Sequence, residues 1–283
     1  MELIRLYNTT KGIFAYYHER YYRMENSWDT LVNASDLFNS LSKAIAAAQP
    51  ASDAETAIQQ HLLPPISSQE IWAAGVTYFR SKVARMEESE DTGGATFYDL
   101  VYEAERPELF FKSTARRAVG HGHKVNIRKD STWNVPEPEL TLFINREGAI
   151  QGYTIGNDMS SRSIEGENPL YLPQAKTYEK SAAIGPCLLV PDQTIPPDTE
   201  IRMQILRNGQ PQYSDAVPIS QMKRGHQELA GFLYRECDFP DGCYLMTGTC
   251  LVPDSSFTLQ ENDVVQITID PIGTLVNTIA LKK

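Results

Sequence analysis

A mostly β chain with one good helix, preceded by an N-terminal stretch of different composition, is the fold class the sequence predicts, and three observations predict it. Short apolar segments with period-two alternation recur from Ile71 onward, as in Leu140, Leu142, Ile144 and again in Ile201, Met203, Ile205. Turn-forming residues separate such runs at Asn145 to Gly148 and at Asn208-Gly209. The first stretch of chain is instead polar and tyrosine-rich (Tyr16, Tyr17, Tyr21, Tyr22), which sets a boundary near Pro64-Pro65 and divides the chain into residues 1–65 and 66–283.

The elements follow in order. MELIRLY alternates apolar and polar residues as a first strand does, and two short strands over Glu2 to Tyr22 are joined by a turn around Lys11 and Gly12. Ser35 or Asp36 then caps a helix in which Leu37, Leu41 and Ile45 share one face. The stretch from Glu87 to Asp99, EESEDTGGATFYD, is acidic and aperiodic and reads either as a mobile loop closing over a site or as a solvated linker. Leu109 to Phe111 reads as a strand, and one good helix is expected from about Ser220 to Tyr234, with Met222, Leu229 and Leu233 on one face.

Composition excludes several function classes. Twenty-six basic against thirty-six acidic side chains give a formal charge of −10 with no basic cluster, which disfavours nucleic acid and anionic lipid as partners. No apolar run approaches the ~20 residues of a spanning helix, and the N-terminal alternation is not a signal peptide, so a soluble, cytoplasmic protein is expected. Cys187, Cys237, Cys243 and Cys250 lack CxxC spacing and read as small buried hydrophobes in a reducing compartment.

The chemistry centres on Pro136-Glu137-Pro138-Glu139-Leu140. In extended backbone its two carboxylates lie on one face, roughly 6 to 7 Å apart at Cα. Like charges that close are favourable around a hard cation such as Mg²⁺; without one, the pair faces solvent or raises a pKa. The two prolines withhold N–H groups and place the strand at a sheet edge or mouth. YTIGNDMSSR, from Tyr153 to Arg162, adds a third carboxylate, Asp158, and a cation. Three carboxylates suit octahedral Mg²⁺ or Mn²⁺ better than zinc.

Several separated motifs, GVTY at Gly75, PEPEL at Pro136, GYTIGNDMSSR at Gly152 and DGCYLMTGT at Asp241, resemble the fumarylacetoacetate hydrolase superfamily over Ile71 to Lys283. The resemblance implies a mainly β (α+β) fold, a rolled mixed β-sheet C-terminal catalytic domain after a small N-terminal α+β domain, and Glu137, Glu139 and Asp158 as ligands of Mg²⁺, with Mn²⁺ or Ca²⁺ as substitutes. It implies Lys176 as an active-site lysine, and Tyr78, Gln174, Gly248 and Thr249 as substrate contacts; Arg162, with its planar donors, either binds the substrate carboxylate or pairs with the metal's acidic ligands. It also implies a homodimer or homotetramer.

RPELFFK at Arg106, VGHG at Val119 and ENPLYLPQAK at Glu167 are similar to one branch, the 2-keto-3-deoxy-D-arabinonate dehydratases. That branch implies loss of water from a 2-keto-3-deoxy sugar acid to give 2-oxoglutarate semialdehyde, with Glu108 and Lys176 as the catalytic pair. Taken without the resemblance, Glu108 reads as the wet end of a strand and Lys176 as a surface residue. Within it, Lys176 is either a neutral base or an electrostatic clamp. The alternative reaction is C–C hydrolysis of a 2,4-diketo acid, and a non-catalytic sugar-acid binder is the third reading. Hydrolases of the superfamily carry a lid histidine after the first tyrosine; here Tyr78 is followed by FRSKVARMEE, with no histidine between His61 and His121, which favours dehydration. Ser163 stands where the family commonly has aspartate.

Overall fold

The computed structural model describes residues 1–80 and 100–282, so the expectation for Glu87 to Asp99 lies outside the described residues. Strands β1 (Leu3–Thr9), β2 (Gly12–Tyr17) and β3 (Arg20–Met24) open the chain as an antiparallel meander. The turn, at Thr10-Lys11, falls where one was expected around Lys11 and Gly12, but the third strand was not expected. It follows a two-residue turn at His18-Glu19, both in the left-handed region (φ 46° and 62°), and neither residue is the glycine or asparagine that marks such a turn.

Helices α1 (Trp28–Val32), α2 (Leu37–Ala47) and α3 (Ala54–His61) follow. Asp36 caps α2 as expected, its Oδ1 accepting from Asn39 N–H at 3.1 Å, and Leu37, Leu41 and Ile45 are its buried face.

A nine-stranded mixed sheet runs in the order β3-β2-β1-β11-β9-β8-β14-β4-β5. Its later members are β4 (Glu70–Gly75), β5 (Glu108–Thr114), β8 (Pro138–Ile144), β9 (Ile150–Asp158), β11 (Ala182–Pro191) and β14 (Cys243–Met246). Because β1 pairs with β11, Leu6 opposite Leu188, the first strands and the later ones form one sheet. Ile4, Leu6, Leu37 and Leu41 accordingly share a core with Ile184, Leu188 and Tyr244.

A five-stranded sheet, β13-β12-β15-β16-β6, covers the other face. It comprises β6 (Lys124–Ile127), β12 (Glu200–Arg207), β13 (Gln210–Pro218), β15 (Val264–Ile269) and β16 (Gly273–Leu281). Ile201, Met203 and Ile205 pack with Leu140, Leu142 and Ile155, which makes β8 buried on both sides. The hairpin turns at Asn145 to Gly148 and Asn208-Gly209 lie where the sequence puts them.

Two expectations change. β8 is an interior strand, between β9 and β14, and not an edge. Pro138 is tolerated because it is the strand's first residue, while Pro136 falls in the kink after the short strand β7 (Asn134–Val135), which pairs with β10 (Ser160–Ser161). The helix expected from Ser220 begins only at His226, as α6 (His226–Leu233): Gly225 breaks the run and becomes the N-cap, its N–H donating to Glu228 Oε2 at 3.2 Å.

The large sheet is rolled. In a flat sheet β5 and β9 would stand about 19 Å apart, four strand spacings. Yet Lys112 on β5 forms an ion pair with Asp158 on β9, so the sheet curls until its edge meets its middle. All four cysteines are free, three of them buried. No described helix is long and apolar enough to cross a membrane.

Candidate functional site

The curl gathers the predicted residues at one end of the sheet. Glu137 sits in the β7–β8 kink, Glu139 is the second residue of β8, and Asp158 ends β9, its N–H donating to the Glu137 carbonyl at 2.9 Å. Each of the three buried carboxylates offers an oxygen within 4.8 Å of the others. Arg162 begins helix α4 (Arg162–Glu167), and Lys176 ends helix α5 (Leu172–Lys176). Arg162 Nη2 donates to Glu137 Oε1 at 2.6 Å. Lys176 Nζ donates to Glu137 Oε2 at 2.5 Å, to Asp158 Oδ2 at 3.1 Å and to Ser160 Oγ at 2.6 Å, with Phe110 stacked 5.6 Å below.

Glu108, Phe110 and Lys112 alternate along the inner face of β5. Glu108 lies opposite Gly75, the last residue of β4, and its Oε2 is buried. Lys112 is the residue the sequence reading overlooked, although it closes the RPELFFK motif. It is wholly buried, pairs with Asp158, and donates to the carbonyls of Met159 at 2.8 Å and Lys176 at 2.5 Å. Glu165, also buried, is a second omission; it lies 3.9 Å from Arg162 Nε.

The remaining predictions divide. Gly248 takes a left-handed φ of 95°, and its N–H donates to Glu139 Oε2 at 2.6 Å, so the Thr247-Gly248-Thr249 turn serves a carboxylate directly. Gly248 and Thr249 line the cavity with Ala74, Gly75 and Val76. Tyr78 is buried, with Glu139 and Cys250 as electrostatic neighbours. Gln174 is exposed, outside the cavity wall, and its carbonyl accepts from Arg128 Nη1 at 3.1 Å. Ser163 faces away from the carboxylates, bonding Ser131 Oγ at 2.9 Å and accepting from Thr132 N–H.

The electrostatics call for a cation. Among the described residues, four buried carboxylates, Glu137, Glu139, Asp158 and Glu165, face three buried cations, Lys112, Lys176 and Arg162. Glu137 and Asp158 each hold two of those cations, whereas among the described residues none pairs directly with Glu139. Burial, then Asp158 and Glu137, raise the Glu139 carboxyl well above the usual carboxylate range, and the Gly248 amide offsets this only in part. For Lys112, burial pulls the ammonium down, and Asp158 opposes it. An all-oxygen donor set with surplus negative charge fits a hard divalent ion.

A family model described as the fumarylacetoacetate hydrolase C-terminal region matches residues 71–280. A probable 2-keto-3-deoxyxylonate dehydratase of Haloferax volcanii is 49% identical over 223 residues, covering 78% of this chain and 76% of that protein. The 2-dehydro-3-deoxy-D-arabinonate dehydratase of Saccharolobus solfataricus is 41% identical over 224 residues, covering 77% and 74%. A solved structure of 2-keto-3-deoxy-D-arabinonate dehydratase complexed with magnesium and 2,5-dioxopentanoate superimposes with a TM-score of 0.83 at 32% identity, covering 100% of both chains. The sheet-dominated α+β architecture and the separated sequence motifs therefore point the same way, and the chain belongs to the fumarylacetoacetate hydrolase family.

Proposed function

We propose that this protein is a Mg²⁺-dependent hydro-lyase that removes water from a 2-keto-3-deoxy sugar acid such as 2-keto-3-deoxy-arabinonate, giving 2-oxoglutarate semialdehyde. The observation that carries the reading is a buried triad of carboxylates whose oxygens lie within 4.8 Å of one another, with Lys176 against two of them and Glu108 at the adjoining wall. The relatives named above support it, since both are described as dehydratases of such acids.

Glu137, Glu139 and Asp158 would hold the metal, and Mn²⁺ or Ca²⁺ would substitute. Magnesium, when bound, supplies positive charge at the substrate's C2 carbonyl oxygen and so acidifies the neighbouring C3–H. The protein's own groups handle the protons. Lys176, which lines the cavity, and Glu108, whose carboxyl lies over the lining residue Gly75, share the two transfers, one taking the C3 proton and the other protonating the departing C4 hydroxyl, which leaves as water. The unsaturated product then tautomerises to the aldehyde. Arg162, held beside Glu137, provides a planar donor set for the substrate carboxylate, and Gly248 and Thr249 of the same cavity lining, with Tyr78, complete the substrate contacts. Gln174 contacts substrate in this reading only if the segment carrying it turns inward.

The enzyme is taken to be cytoplasmic and a homodimer or homotetramer, which light scattering on the purified protein checks directly. The test of function is NMR product analysis with Mg²⁺ and 2-keto-3-deoxy-arabinonate, run beside an acylpyruvate. Semialdehyde formation, lost with EDTA and in Glu137→Gln, is expected. Pyruvate release from the acylpyruvate without dehydration would replace the reading with C–C hydrolysis of a diketo acid.

A further inference from the structure

Gly75 ends β4 on the cavity wall, and the residue directly opposite it in the antiparallel β4–β5 pair is Glu108. Opposed residues in such a pair project their side chains to the same face, with Cα atoms about 4.5 to 5.5 Å apart. A Cβ on Gly75 would stand 3.2 Å from Glu108 Cγ, 2.5 Å from its Cδ and closer still to Oε2. The carboxyl group of Glu108 therefore lies folded over its partner strand, in space that exists because residue 75 has no side chain.

The backbone of Gly75 does not explain the glycine. Gly75 is absent from the residues with left-handed φ, unlike Gly248 at 95°. Glycine inside a strand weakens it, and a close approach by another group is the usual reason to find one there. The approaching group here is the end of a flexible side chain, so an added methyl would push the carboxylate aside without displacing backbone.

We propose that Gly75 is a positioning residue: the notch it leaves directs the Glu108 carboxylate across β4 into the cavity that holds Glu137, Glu139, Asp158 and Lys176. This rests on the reading of Glu108 as an acid–base group given above. It assigns to the glycine of the GVTY motif a role in aiming a proton-transfer group, separate from metal binding.

The test compares wild type, Gly75→Ala, Glu108→Ala and the double variant as Mg²⁺-loaded enzymes. Steady-state kinetics are measured on 2-keto-3-deoxy-arabinonate, Mg²⁺ affinity by calorimetry, and folding by thermal melts. Gly75→Ala is expected to fold, to bind Mg²⁺ within about two-fold of wild type and to keep its KM, while kcat falls by about 100-fold, the scale of a displaced catalytic group. In the Glu108→Ala background the same methyl is expected to leave the residual rate unchanged. An equal loss in both backgrounds, or a Gly75→Ala enzyme at full rate when Glu108→Ala is slow, overturns the proposal. Full activity in Glu108→Ala overturns the reading of Glu108 itself and takes the proposal with it. If Gly75→Ala alone does not fold, the double variant decides: restored folding identifies the Glu108 carboxyl as the clashing group and supports the notch, and continued failure overturns it.

Discussion

Lys112 pairs with Asp158 while the same ammonium donates to the main-chain carbonyl of Lys176, so one buried cation fixes both a candidate metal ligand and the end of the helix that presents Lys176. Removing one partner of a buried pair leaves the other charge poorly compensated. Lys112→Met is expected to destabilise the metal-free protein by about 3 to 5 kcal/mol in urea unfolding. Its Mg²⁺ affinity by calorimetry is expected to drop by about ten-fold or more, the effect of losing an orienting partner behind a ligand.

Glu139 gives the opposite balance. Its carboxyl is buried beside two other carboxylates with a backbone amide as its hydrogen-bond donor. Glu139→Gln is expected to raise the melting temperature of the metal-free protein, because like-charge repulsion disappears. The same variant is expected to lose more than about 100-fold in Mg²⁺ affinity, beyond the range seen for outer-shell changes. A metal-free protein that melts lower than wild type would show that the triad is not strained by its own charge.

A pH dependence follows from the raised Glu139 carboxyl. A group whose folded pKa lies above its unfolded value, about 4.3 for glutamate, adds stability below that value and loses it as pH rises through the folded pKa. The metal-free protein is therefore expected to weaken at this group as the solution moves from acid toward neutral pH. Metal binding requires the deprotonated carboxylate, so the melting-temperature increment given by Mg²⁺ should grow from about pH 5 to about pH 8. Calorimetry in buffers of different protonation enthalpy should register proton release on binding.

Gly248→Ala tests the turn that serves Glu139. Its φ of 95° disfavours any side chain, and an added Cβ would overlap Thr77 Oγ1 and stand 3.0 Å from the Ala74 carbonyl oxygen. A loss of about 2 kcal/mol in stability is expected from the backbone strain, measured by chemical denaturation. Weaker Mg²⁺ binding should accompany it, since the Gly248 N–H is bonded to Glu139.

How much of this was legible in the sequence depended on how local each feature is. Glu137 lies just before β8, Glu139 within it and Asp158 at the end of the adjacent β9, so short motifs carried them. The cap at Asp36 and the turn at Asn208-Gly209 are likewise set by neighbouring residues. Lys112 was not legible, because a lysine after an apolar run reads as the wet end of a strand. Only the roll of the sheet turns that end inward, and the roll is a property of nine strands together. The interior position of β8 was hidden for the same reason: two prolines signal missing N–H groups but not which neighbour would have used them.

The pairing of β1 with β11 has a consequence for how the chain is born. Leu6 meets Leu188, a partner that leaves the ribosome roughly 180 residues later, about 10 to 40 s at ordinary synthesis rates. Throughout that interval the inner edge of the opening three-stranded meander has no strand to bond, and the apolar face made by Ile4 and Leu6 has only the early part of its core, such as Leu37 and Leu41, to pack against. Such an edge templates self-association. Nascent chains of this protein are thus expected to depend on chaperone shielding until β11 emerges, and refolding yield in vitro should fall steeply as protein concentration rises.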